Sequence, residues 1–124
     1  MSDLSRLSAD LKAAGTRAGV DATAVVKRGA LNVKRGWAQN VRITSGGHLA
    51  RLPYTISYDV TVSGGFVTAE VGPDKGRGGQ ANLGAIDEYG SRNNPPHMNG
   101  QRALDDEAPE FYRQLERIVG KVGG

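Results

Sequence analysis

The sequence predicts an α+β fold in a single domain spanning residues 1–124. Two observations indicate this class: apolar residues recur at helical spacing toward both ends of the chain, and they alternate with polar residues in its middle. We therefore expect N-terminal helices, a small antiparallel β-sheet with a central hairpin, and a C-terminal helix packed on the sheet. A chain of 124 residues can bury one core but not two.

Two helices are expected in the N-terminal third, one ending near Ala14 and a longer one running from residues 21–23 to about Asn40. Gly29 and Gly36 each weaken the longer helix by up to about 1 kcal/mol relative to alanine, so a neighbouring strand or subunit is expected to approach closely there. The apolar positions of this helix step by four, three, four and four residues, as one buried helix face requires. They are Val26, Ala30, Val33, Trp37 and Val41.

The middle of the chain predicts a β-hairpin. Apolar and polar residues alternate from Tyr54 to Val62, which is typical of a strand with one buried face. Residues 63–65 should form the turn and residues 66–71 the return strand. Both Tyr54 and Val62 are therefore expected on the buried face.

The C-terminal part predicts a short helical or turn segment at residues 81–89 and a last helix at about residues 101–119. Pro109 lies inside that helix and should kink it or restart it. The apolar stripe of the helix comprises Leu104, Ala108, Phe111, Leu115, Ile118 and Val122.

The net charge of +3 conceals an asymmetry between the two halves of the chain. Residues 1–62 contain nine Lys/Arg and four Asp/Glu, whereas residues 63–124 contain seven and nine. A basic cluster is formed by Lys27, Arg28, Lys34 and Arg35. The preferred interpretation of this cluster is a solvated helix face. Binding of nucleic acid would need exposed aromatic rings nearby, but the aromatic residues are expected in the core. The asymmetry would also suit subunits that pack head to tail.

No group of residues in the sequence is typical of a catalytic or metal site. His48 and His97 lack metal-ligand spacing, and the glycine-rich residues 76–79 lack the phosphate-loop pattern. The carboxylates at residues 87–88 and 105–107 are expected to be solvated or to face a partner. We therefore expect no enzymatic activity, no cofactor and no metal. The absence of cysteine excludes disulfides and favours a reducing compartment, and no apolar run is long enough to cross a membrane.

Two segments carry more information than ordinary loops. Residues 44–53 read TSGGHLARLP, and residues 85–98 read AIDEYGSRNNPPHM. Their order around the helix and hairpin resembles the small tail-completion (neck) proteins of long-tailed bacteriophages. In that family a helix is followed by a T-G-x-L-R-like segment, a hairpin, a Y-A-x-x-x-E-x-G-T turn, a P-x-P-F arrest and a closing helix.

Three residues match the second part of the family pattern: Glu88, Gly90 and Pro96. Gly90 is expected at positive φ. The first part matches more loosely, because an alanine separates Leu49 from Arg51. The aromatic residue that should follow the second proline is replaced by histidine and methionine.

The resemblance implies a structural virion protein at the head–tail junction, present in the host cytoplasm during assembly. It would form a homo-oligomeric ring, commonly of six subunits. The ring would contact adjacent neck, connector and tail-terminator or tail-tube proteins. DNA in the channel would be a further contact, and no membrane partner is expected. Mobile loops at about residues 44–53 and 74–84 would become ordered on adjacent rings. A tail-terminator ring and a small basic nucleic-acid-binding protein are the alternatives. The expected interface residues are Lys27, Lys34, Arg35, His48, Arg51, Lys75, Arg77, Glu88, Tyr89, Gly90 and Pro96.

Overall fold

The fold is α+β, as the sequence predicts. The computed structural model describes residues 5–45, 49–74, 83–90 and 96–123. Its elements, in chain order, are strand β1 (Ser5–Asp10), helix α1 (Leu11–Ser45), a 3₁₀ turn (Leu52–Thr55), strands β2 (Ile56–Ser63) and β3 (Phe66–Pro73), and helices α2 (Gly84–Tyr89) and α3 (Asn99–Gly123). None of the described helices has the length and apolar content that a membrane span requires.

The N-terminal segment is a strand rather than the expected first helix. Residues 5–10 pair with β3, and Leu7 and Ala9 are buried on the same face of the sheet. The leucine spacing suits a helix locally, but pairing with a strand some 60 residues away decides the conformation, since tertiary context overrides propensity. The expected division into two helices, one ending near Ala14 and one starting at residues 21–23, is also wrong, because α1 is continuous over 35 residues.

The sheet has three antiparallel strands in the order β1-β3-β2. The predicted hairpin is confirmed, and its two-residue turn has Gly64 at φ 60° and Gly65 at φ 84°. Positive φ at both central residues is the type I′ geometry, whose twist matches that of the flanking strands. Glycine adopts it without steric cost.

One face of the sheet is buried and the other is polar. Val67, Ala69 and Val71 of β3 are completely buried, whereas Glu70 points away and forms a salt bridge with Arg6. The side chains of β3 therefore alternate between the core and the outer surface, as the period of a strand requires.

Two aromatic or apolar residues expected on the buried face are exposed. Tyr54 is 72% exposed because it belongs to the 3₁₀ turn that precedes β2. Val62 is 60% exposed and lies next to the hairpin turn. The buried part of β2 thus begins at Ile56 and does not reach the turn.

Helix α1 is the centre of the molecule. Its five predicted core residues, from Val26 to Val41, are at most 1% exposed. Close approach at the helix glycines is also confirmed. A Cβ atom at Gly29 would lie 2.8 Å from Cδ1 of Leu7, and one at Gly36 would lie 3.3 Å from Cβ of Ala103. A strand and a helix of the same chain therefore fill the space that these glycines leave.

Helix α3 packs antiparallel to α1. As residue numbers increase along α1, the numbers of their partners on α3 decrease. The four pairs are Gly29 with Phe111, Asn32 with Glu107, Gly36 with Ala103 and Asn40 with Asn99. Among the described side chains of α3, the buried apolar ones are Ala103, Phe111 and Ile118.

The start of α3 differs from the prediction. It begins at Asn99 and continues through Pro109, so the expected restart there is wrong. Residues 105–107 consequently lie inside the helix and not at an N-terminus created by the proline. The contact that α2 makes with the first turn of α3, described below, fixes where the helix begins.

The two loops predicted to be mobile are only partly described. Thr44 and Ser45 end α1, while Leu52 and Pro53 are buried in the 3₁₀ turn. Most of the loop at residues 74–84 lies outside the described residues. Its last residue, Gly84, begins α2, and a Cβ atom there would lie 2.4 Å from Cγ of Pro73.

Candidate functional site

A cluster of polar side chains joins α2 to the start of α3, and we call Asp87, Glu88, His97 and Asn99 the cap cluster. The Glu88 carboxylate accepts two backbone hydrogen bonds, from the Gly100 N–H to Oε1 at 2.6 Å and from the Gln101 N–H to Oε2 at 2.8 Å. The first N–H groups of a helix have no partner within the helix, and this end of its dipole is positive. Glu88 therefore caps α3 from a different element.

Asp87 holds the segment that leads into α3. Its Oδ1 accepts a hydrogen bond from Nδ1 of His97 at 2.8 Å, and its Oδ2 accepts one from Nδ2 of Asn99 at 2.9 Å. The backbones are joined as well, because the N–H groups of His97 and Met98 donate to the carbonyls of Asp87 and Glu88. Both carboxylate oxygens of Asp87 are thus occupied by neighbours in the same chain.

Asn99 connects the cap cluster to α1. Its side-chain nitrogen also donates to Oγ1 of Thr44 at 2.9 Å, and its carbonyl accepts a bond from Nδ2 of Asn40 at 3.0 Å. Its side-chain oxygen accepts a bond from Arg102. Asn99 is completely buried, so these bonds replace all contact with water.

The backbone around the cap cluster depends on residues that few other side chains could replace. A Cβ atom at Gly100 would lie 2.7 Å from Cε2 of Trp37, so only glycine lets the first turn of α3 approach the tryptophan ring. Gly90 has φ 79°, which confirms its expected positive φ, and Met98 has φ 54°. The left-handed conformation is unfavourable for a side chain such as that of Met98 and is held here by the surrounding bonds.

The cap cluster is built for structure. Asp87 and Glu88 are 4% and 3% exposed, so the expectation that they are solvated or face a partner is wrong. Within the described part of the chain, every buried side-chain polar atom has a hydrogen-bond partner. The same residues contain no group of three or more His, Asp or Glu side chains placed to hold a metal ion.

A second charged surface lies on the opposite flank of α1, and we call Lys34, Arg35, Arg42 and Tyr54 the basic groove. These residues line an open groove between α1 and the start of β2, together with Ala38, Gln39, Pro53 and Ile56. The guanidinium of Arg42 lies 5.6 Å from the centre of the exposed Tyr54 ring. This distance is typical of a cation–π contact.

Within the described part of the chain, the cations of the basic groove have no acidic partner. Helix α1 carries five basic residues and no acidic one between Ala22 and Ser45. Among the residues that the structure describes, Lys34, Arg35 and Arg42 form no salt bridge. From Arg28 to Arg42 the basic residues extend over about 21 Å of helix. The groove is therefore a positive surface with an aromatic ring at its edge.

The structure separates the residues that the sequence groups as an interface. Lys34 and Arg35 line the basic groove, and Lys27 is exposed two turns earlier on the same helix. Glu88 is buried in the cap cluster, and Tyr89 and Gly90 follow it directly. Pro96 is exposed and precedes His97. Arg51 is exposed in the turn before residue 52. His48, Lys75 and Arg77 lie outside the described residues.

Sequence reasoning missed several residues of both sites. Asp87 and Asn99 carry much of the cap cluster, and an asparagine followed by an apolar helical pattern was a signal for a helix start. Arg42 and Tyr54 were missed as a pair because Tyr54 was assigned to the buried face of a strand.

Comparison with known proteins identifies no relative of this chain. No protein-family model, no curated protein and no solved structure matches its sequence. A function therefore has to be inferred from the chemistry of the cap cluster and the basic groove.

Proposed function

We propose that this protein is a structural subunit of a tailed bacteriophage, which forms a ring at the head–tail junction and joins the tail to the capsid connector. It acts through shape and charge and performs no turnover. The observation that carries the proposal is the use of Glu88, whose two carboxylate oxygens cap α3. The residue at the centre of the neck-protein pattern thus serves to fix one helix against another.

The rest of the pattern supports the same role. Gly90 provides a positive φ after α2, and Pro96 precedes the residues that bond to Asp87 and Glu88. An acidic residue, a glycine and a proline in this order therefore act together to turn the chain and start α3. A motif of this kind sets the shape of a subunit, which is what an assembly protein requires.

The unpaired charges lie where another molecule can reach them. The carboxylates of the cap cluster are bonded internally, whereas the cations of the basic groove are exposed or half-buried and lack acidic partners among the described residues. Complementary charges on two surfaces guide association and suppress incorrect contacts. The groove is thus suited to contact with a subunit or a neighbouring ring.

The direct test is electron microscopy of lysates from a phage that lacks this gene, complemented or not by the gene on a plasmid. Filled heads beside unattached tails of uniform length are the expected result. Overlong tails would instead indicate a tail terminator, which caps tube growth. Intact infectious particles would contradict any role at the head–tail junction.

A small basic nucleic-acid-binding protein is the second candidate, and exposed Tyr54 favours it. The aromatic ring of Tyr54 lies beside the guanidinium of Arg42, and Lys34 and Arg35 line the same groove. Such a surface resembles those on which nucleic-acid bases stack. The basic groove, however, contains a single aromatic ring. Affinity for duplex or single-stranded DNA that falls steeply with salt would support this candidate. Weak binding that is insensitive to Lys34→Glu/Arg35→Glu would contradict it.

A further inference from the structure

We infer that the basic groove of one subunit binds the exposed face of α3 of a second copy, so that copies associate head to tail. The partner surface, which we call the α3 ridge, consists of Asp105, Asp106, Pro109 and Tyr112. This inference rests on the proposed ring and names the two surfaces that would form it.

The α3 ridge has the charge that the groove lacks. Its four side chains are exposed, and Tyr112 is 61% exposed. The nearest arginines are occupied elsewhere: Arg102 donates to His97 and Asn99, and Arg113 pairs with Glu110. Among the described residues, Asp105 and Asp106 form no salt bridge. Two carboxylates beside a tyrosine therefore face outward from α3.

The two surfaces cannot meet within one chain. On α1, Gly36 contacts α3 whereas Ala38 lines the basic groove. Residues that are two positions apart in an α-helix point in directions about 200° apart, so Gly36 and Ala38 face nearly opposite directions. The groove and the ridge consequently lie on opposite flanks of the domain, with α1 between them.

This arrangement is what a ring requires. A head-to-tail contact uses two different surfaces on each subunit, and it closes into a ring when the rotation between subunits permits. Tyrosine and arginine are enriched at protein interfaces, and both are present here in Tyr54, Arg42 and Tyr112. A second copy satisfies the positive groove and the negative ridge at the same time, whereas nucleic acid would leave the ridge without a partner.

The test is a charge exchange measured by sedimentation velocity and by mass photometry over a range of protein concentrations. The groove variant is Lys34→Glu/Arg35→Glu and the ridge variant is Asp105→Lys/Asp106→Lys. Arg117→Glu is the control, because it reverses an exposed charge on α3 more than one turn beyond Tyr112 and outside both surfaces. Circular dichroism verifies that each variant is folded.

We expect the wild-type chain to associate and each of the two variants alone to associate at least tenfold more weakly. Mixing the groove variant with the ridge variant should restore association, because each negative groove then meets a positive ridge. The control should behave as the wild type does. Recovery on mixing is a result that mere loss of folding cannot produce.

Several results would overturn the inference. The first is a mixture that remains dissociated, and the second is a wild-type chain that stays monomeric at the highest concentration. DNA binding that is lost in the groove variant while self-association is unchanged would assign the groove to nucleic acid. If the groove variant restores infectivity to the phage lacking this gene, the proposed function stands and the inferred interface is wrong. If that phage needs no complementation, the proposed function itself fails.

Discussion

The cap cluster and the basic groove both concentrate charge, but they use it in opposite ways. In the cap cluster the carboxylates of Asp87 and Glu88 are buried and each oxygen accepts a hydrogen bond from the same chain. In the basic groove, Lys34 and Arg35 have no acidic partner among the described residues. Burial with complete pairing makes a charge structural, whereas exposure without pairing leaves it available to another molecule.

Loss of the Glu88 carboxylate should have the largest effect on stability. Glu88→Ala leaves the N–H groups of Gly100 and Gln101 without their acceptor, and hydrogen bonds to charged groups contribute about 1.5–3 kcal/mol each. We expect a loss of about 3 kcal/mol in the free energy of unfolding, measured in urea. Glu116→Ala, on the exposed side of α3, is the control and should change it by less than about 0.5 kcal/mol. Similar values for both variants would contradict the structural role of Glu88.

A methyl group at Gly100 should have the next largest effect. Gly100→Ala places Cβ against the Trp37 ring, and overpacking of this kind costs about 1–3 kcal/mol. The fluorescence of Trp37, the only tryptophan, should change with it. Gly36→Ala is the comparison: its contact with Ala103 is less severe, and the gain of about 1 kcal/mol in helix propensity offsets it. Equal stability of Gly100→Ala and the wild type would show that the first turn of α3 does not lie against the ring.

A β-branched residue at Gly90 should have a moderate effect. Gly90→Val must hold a left-handed conformation, which costs about 1–2 kcal/mol for an L-residue. Gly90→Asn should cost less, because asparagine visits this conformation more readily. Thermal unfolding of the two variants measures the difference. A valine variant as stable as the asparagine variant would contradict the positive φ.

The contact between Arg42 and Tyr54 should contribute least to stability. An exposed cation–π pair is worth about 0.5–1 kcal/mol, so a double-mutant cycle with Arg42→Ala and Tyr54→Ala should give a coupling energy near the lower value. The same variants should weaken association more than they weaken the fold. A coupling above about 2 kcal/mol would mean that the groove supports the fold in the way the cap cluster does.

Local patterns predicted the elements whose structure is determined locally. The stripe from Val26 to Val41 lies at helical spacing, and two glycines between alternating segments indicate a hairpin, so both were predicted correctly. The strand at Ser5–Asp10 was missed because its partner, β3, is distant in sequence. Polar and apolar residues do alternate from Arg6 to Asp10, as in a strand, but the spacing of Leu4, Leu7 and Leu11 fits a helix equally well.

The candidate sites were harder to predict because both depend on contacts between elements. Glu88 reaches the N–H groups of residues 100 and 101 only after the chain has turned through residues 89–98. The resemblance to the neck proteins groups Glu88 with Gly90, but nothing in the sequence indicates that Glu88 is buried. The groove depends on Tyr54 lying outside the strand, which follows from the 3₁₀ turn and not from the alternating pattern.

The different roles of the cap cluster and the basic groove are tested by comparing Glu88→Gln with Lys34→Glu/Arg35→Glu in two measurements on the same samples. One is the urea midpoint of unfolding, and the other is the sedimentation coefficient at high protein concentration. We expect Glu88→Gln to lower the midpoint while its folded fraction still associates, and we expect the groove variant to keep the wild-type midpoint and fail to associate. The opposite pattern, or a parallel loss of stability and association in both variants, would show that the cap cluster does not act only on stability and the basic groove only on association.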